Sequence, residues 1–108
     1  SRKIISVFQP HRFSRVRLLK KEFAKAFKLC DEVVLCPVYS AGEKINKYFD
    51  YHSFGKLIVK KSNVTVAILK SENDLLNYFK KNLFDNELVV CMGAGSISSW
   101  IKSISKKL

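Results

Sequence analysis

The stretch Ile4-Ile5-Ser6-Val7-Phe8-Gln9-Pro10-His11-Arg12-Phe13-Ser14-Arg15-Val16-Arg17 decides how this chain is read. Its first five residues are a short apolar run of β-type residues, and Pro10 ends it. From Ser14 to Leu29 apolar residues return at three- and four-residue intervals. Val16, Leu19, Phe23, Ala26 and Phe27 form the stripe expected to be buried, and Lys21, Lys25 and Lys28 the wet side. Ser14 is the expected N-cap. The unit is strand, loop, helix.

The same unit recurs downstream. Glu32 to Cys36 is a near-continuous apolar strand, as expected where both sheet faces are covered, and a loop containing Pro37 and Gly42 follows it. A short helix is expected from Ser53 to about Lys61, weakened by Gly55. Val64 to Leu69 is a third strand. Ser71-Glu72-Asn73-Asp74 carries the capping signature of a helix that buries Leu75, Leu76 and Phe79 and runs to about Leu83. Glu87 to Met92 is a fourth strand, Gly93-Ala94-Gly95 a tight turn, and Ser96 to Leu108 a terminal helix. Four strands alternating with four helices imply an α/β fold of Rossmann-like, doubly wound type, its sheet mostly parallel. Ligands of such sheets bind at the carboxyl ends of the strands. Here that means the loops Gln9–Ser14, Pro37–Lys44, Lys70–Ser71 and Gly93–Ser96.

With 108 residues, 47% hydrophobic and 27% charged, the chain suits one globular domain and excludes a disordered or collagen-like polymer. No apolar run is long enough to span a bilayer and the first residues lack a signal peptide, so a soluble cytoplasmic protein without a membrane partner is expected. Cys30, Cys36 and Cys91 form neither a CxxC pair nor an even set, which speaks against disulfides and zinc. They are expected to be small buried hydrophobes. A net charge of +11 raises nucleic acid as a partner. The lysines, however, are scattered along the whole chain, and no RNA- or DNA-binding signature accompanies them.

Arginine is scarce, and three of the four, Arg12, Arg15 and Arg17, cluster beside His11 where a strand hands over to a helix. Unpaired helix amides and planar guanidinium forks at such a place suit a carboxylate or phosphate. Gly93-Ala94-Gly95 has the start of a dinucleotide turn, but Ser98 stands where its third glycine would be. Close packing is the better account of these glycines. Glu43, in Tyr39-Ser40-Ala41-Gly42-Glu43, lacks a partner carboxylate for acid–base work and is read as structural, and His52 as a surface residue. No nucleophile elbow, Walker loop or zinc-protease motif is present.

The first motif, together with Asp31-Glu32-Val33-Val34-Leu35, Tyr39-Ser40-Ala41-Gly42-Glu43 and Met92-Gly93-Ala94-Gly95-Ser96-Ile97, resembles in order and spacing the C-terminal domain of the Mur ligase family, in the branch that adds L-alanine to UDP-N-acetylmuramate. The resemblance spans nearly the whole chain. It implies that residues 1–108 are the third of three domains, without that domain's first strand and helix, whose Asp-Asp-Tyr-x-His-His-Pro stretch does not appear. It further implies an ATP- and magnesium-dependent ligase of peptidoglycan synthesis that forms an acyl phosphate, with this domain closing over the ATP site. His11, Arg12 and Arg15 match the residues that hold the amino acid. Phe13, Val16, Leu18 and Ser96 depart from the residues usual in the family. By this reading the chain alone is inactive, holds no cofactor, catalytic residue or metal ligand, and depends on the two absent domains, L-alanine and UDP-N-acetylmuramate. The alternatives are a basic nucleic-acid-binding module and, behind it, a dinucleotide-binding oxidoreductase domain at Gly93–Gly95.

Overall fold

Strand and helix alternate throughout the computed structural model, which describes residues 2–84, 86–93 and 95–108. The elements are β1 (Lys3–Phe8), α1 (Phe13–Ala24), β2 (Glu32–Leu35), α2 (Tyr51–Ser62), β3 (Thr65–Ile68), α3 (Glu72–Asn82), β4 (Glu87–Met92) and α4 (Ser96–Ser105). The strands form one parallel sheet in the order β3-β2-β1-β4. The chain winds outward from β1 through α1 and α2, then crosses back over the sheet to place β4 on the other side of β1. That reversal makes the carboxyl ends of β1 and β4 the topological switch point, where ligands of doubly wound sheets bind.

The sheet has a core on each face. Val33, Leu35 and Phe8 pack with Val16, Phe27, Phe54 and Ile58 beneath α1 and α2. Ile5, Val7 and Val34 pack with Leu75, Phe79, Ile97 and Ile104 beneath α3 and α4. β2 is thus apolar at successive positions, and β1 nearly so with buried Ser6 as the exception, because both their faces are covered. β4 is different. Val89 packs into the α3/α4 core, but its alternating neighbours Leu88, Val90 and Met92 remain exposed on the α1/α2 side of this edge strand.

α1 departs from expectation at three points. Its N-cap is Arg12, not Ser14, with φ 68° and no side-chain cap bond. Leu19 has non-helical dihedrals (φ −112°, ψ 22°), and this kink rotates the buried stripe, so that Ala24 is buried while Leu19 and Ala26 are not. The helix ends at Ala24, five residues early, in tight turns that lead to Cys30. The buried Ser62 hydroxyl accepts from Phe27 N at 3.1 Å and donates to Ala24 O, satisfying this early end.

α2 is longer than expected because Asp50 caps it, accepting from Ser53 N at 2.9 Å. Gly55 does not weaken it. It lets the helix lie close on β3, since a Cβ there would stand 3.2 Å from Ile68 Cδ1. The capping signature of α3 is realised in both directions: Ser71 Oγ accepts from Asp74 N at 3.1 Å, and Asp74 Oδ2 from Lys70 N at 3.0 Å.

Candidate functional site

At the switch point stands Gln9, only 2% exposed. Its Nε2 donates to Pro37 O at 3.1 Å and to Ser96 Oγ at 2.7 Å, and its Oε1 accepts from Ile97 N at 3.0 Å. One amide therefore ties together the loops that follow β1, β2 and β4. It also occupies an amide of the first turn of α4, the kind of group that holds the pyrophosphate in a dinucleotide site. The glycines pack as expected. A Cβ at Gly93 (φ 134°) would lie 2.5 Å from Gln9 O, and one at Gly95 (φ 87°) 2.5 Å from the Tyr39 ring. Ala94 lies outside the described residues. One of α4's first-turn amides is thus taken by Gln9 rather than left for a pyrophosphate.

The loop after β1 is pinned to the loop after β2. Arg12 N donates to Tyr39 O at 2.7 Å and Tyr39 N to Pro10 O at 2.8 Å, while the His11 and Tyr39 rings lie 5.6 Å apart. This pairing holds Arg12 at positive φ, a conformation that costs a non-glycine residue on the order of 1–3 kcal/mol. Ala41 (φ 50°) and Gly42 (φ 91°) then turn the second loop back toward α1. That turn delivers Glu43, whose carboxylate accepts from the Ser14 hydroxyl and, at 3.3 Å, from Ser14 N. The Ser14 hydroxyl above all, aided by the Ser14 and Phe13 amides and the Arg12 charge, holds the Glu43 carboxyl below its ordinary value.

The anion expected at the start of α1 is thus supplied by the protein itself. Ser14 does not cap the helix through its own side chain but receives a cap from another loop. Of the residues singled out in the sequence, His11 is half-buried against Tyr39, and Arg12 is exposed beside Glu43. Arg15, one turn into the helix, is exposed and makes no hydrogen bond or ion pair among the described residues. The adjoining hollow, about 370 Å³, is lined instead by Gln9, Phe13, Tyr39, Lys47, Tyr51 and Trp100, among others. The three predicted residues border this region without lining it. Gln9 had no role assigned from the sequence, although an uncharged amide directly after the central strand was the available signal.

Among the described residues no three His, Cys, Asp or Glu side chains gather into a metal site. Cys36 is buried, and burial pushes its thiol up to about 12, leaving it unreactive. Cys30 is partly buried, while Cys91, expected inside, is exposed because it lies on the edge strand. No helix among the described residues is long and apolar enough to cross a membrane.

Sheet order and switch point define a Rossmann-like α/β domain with an arginine-bearing loop at its strand-exit edge. No family model matches the chain. It is similar to UDP-N-acetylmuramate–L-alanine ligases of Pelagibacter ubique (46% identity over 101 residues, 94% of this chain and 22% of the relative) and of Prochlorococcus marinus strain NATL1A (37% over 98 residues, 90% and 20%). The corresponding ligase of Rhodospirillum rubrum is 35% identical over 107 residues, 99% of this chain and 22% of the relative. The chain belongs to the UDP-N-acetylmuramate–L-alanine ligase family and corresponds to its C-terminal domain, spanning about a fifth of the length of these relatives.

Proposed function

We propose that the chain is the amino-acid-clamping third domain of a cytoplasmic, ATP-dependent ligase that joins L-alanine to UDP-N-acetylmuramate. In that reaction the muramyl carboxylate takes the γ-phosphoryl group of ATP, releasing ADP and forming an acyl phosphate, and the L-alanine amine then attacks its carbonyl carbon, forming the amide as phosphate leaves. By the family resemblance the magnesium ligands belong to the other two domains, and no residue of this chain is assigned to the ion. The observation that carries the reading is the placement of Arg12 and Arg15. Both stand at the strand-exit edge, the Ser14 amide beside them is already engaged by Glu43, and Arg15 has no internal counterion among the described residues. Recognition of the L-alanine carboxylate then falls to the guanidinium groups rather than to the helix end. His11, braced by Tyr39, borders the same edge.

The test is L-alanine-dependent phosphate release by the full-length enzyme. Arg12→Ala and Arg15→Ala should each lower kcat/KM for L-alanine on the order of 10- to 100-fold, the loss of one charged hydrogen bond. Unchanged kinetics in both would remove the site assignment. The 108-residue chain given all three substrates should release no phosphate.

A further inference from the structure

The chain's positive charge is unevenly divided about the sheet. α1 and α2 carry seven cations and one acid, whereas α3 and α4 on the opposite face carry three cations and two acids. Arg17, Lys20 and Lys21 recur at helical spacing along one ridge of α1, and Lys56 and Lys60 along the facing ridge of α2. Between the ridges runs an open groove of about 570 Å³, with Leu18 and Leu57 in its wall and Ser53 toward the start of α2. Five of its nine lining residues are cations, against 20 in the 108 residues of the chain, so the concentration exceeds what composition alone supplies.

Among the described residues little internal charge opposes these cations. Glu22 is the groove's only acid, and none of the five cations is ion-paired among the described residues. The nearby Asp50 carboxylate is turned onto its own helix as a cap. The groove shares no lining residue with the hollow at the strand exits. Mutual repulsion across it is relieved by an anion that reaches both ridges at once. A short chain of phosphates carries more charge and more charged oxygens to share among the five cations than a single phosphate does.

We propose that the α1–α2 groove binds an oligophosphate, a linear chain of two or more phosphates, either free or carried by a nucleotide. Calorimetric titration of the chain with inorganic orthophosphate, diphosphate and triphosphate, and with ATP, tests this. Affinity should rise with each added phosphate. The double variant Lys56→Ala/Lys60→Ala should weaken triphosphate binding about tenfold, as expected for the loss of two exposed charge contacts. Lys102→Ala/Lys106→Ala, which removes the same charge from the other helical layer, should leave it nearly unchanged. All four lysines are exposed, so neither variant threatens the fold. Parallel loss of ATP affinity identifies a nucleotide-borne chain as a ligand, and failure of ATP to displace triphosphate identifies the free oligophosphate. Equal weakening in both double variants, or orthophosphate binding as tightly as triphosphate, overturns the proposal.

Discussion

Glu43 is the residue on which the functional edge turns. Its ordinary value is 4.5, and its folded value lies lower because the carboxylate accepts hydrogen bonds from Ser14. A depressed folded value means that the unfolded chain binds the extra proton first, so this contribution is complete above 4.5 and is lost as pH falls through the folded value. Urea denaturation across acid pH should therefore show a decline in stability that Glu43→Gln shares less, because the amide has no proton to gain. Identical acid limbs would show that Glu43 contributes nothing through its charge. Gln9 supports the same edge without charge. Gln9→Ala strands Ile97 N, a buried donor, along with the Ser96 and Pro37 contacts, and should cost about 1–3 kcal/mol in a denaturant titration. Both residues are readable in the sequence only as polar side chains in strand-exit loops. What they bond lies 29 residues away for Glu43 and as many as 88 for Gln9, distances that no local pattern encodes.

At the level of elements the alternation of periods was legible, because each strand and helix carries its own burial pattern. All eight appear where the sequence places them, and β4 has the same bounds. The differences have two origins. The Ser62 hydroxyl that satisfies the end of α1 comes from 35 and 38 residues away, whereas the Asp50 cap that lengthens α2 is a local signal, three residues from Ser53, that apolar spacing alone does not register. The turn before α4 gives a sharper test of local against tertiary demand. Both glycines have positive φ, so a side chain adds strain at either, but at Gly93 an added Cβ also meets backbone, Gln9 O, which cannot step aside. At Gly95 it meets the half-exposed Tyr39 ring, which can. Gly93→Ala should thus destabilise the chain more than Gly95→Ala, while Gly95→Ala should be the one that moves Tyr39 away from His11. Thermal melts rank the first effect, and the NMR shifts of the His11 ring report the second.

For the whole molecule, two properties escape a linear reading. The lysines look scattered along the chain, yet the winding of the sheet collects an excess of them on the α1/α2 face. β4 likewise reads as an ordinary apolar strand, but it forms a sheet edge with Leu88, Val90 and Met92 uncovered. A bare edge with an apolar face invites pairing. The occupant we assign is the strand and helix that the family resemblance places before residue 1, the strand adding beside β4 and the helix lying over Leu88, Val90 and Met92. These relatives extend far beyond the matched fifth. Val90→Lys separates this assignment from a face that stays open to water. In the 108-residue chain the new ammonium reaches solvent and the substitution should be nearly silent in a denaturant titration. In a chain extended through the preceding strand and helix it would be buried without a partner and should be strongly destabilising. Hydrogen exchange should agree, with β4 amides better protected in the longer chain. Equal tolerance of Val90→Lys in both chains, with β4 exchange unaltered, would leave this edge facing solvent and place the preceding segment elsewhere.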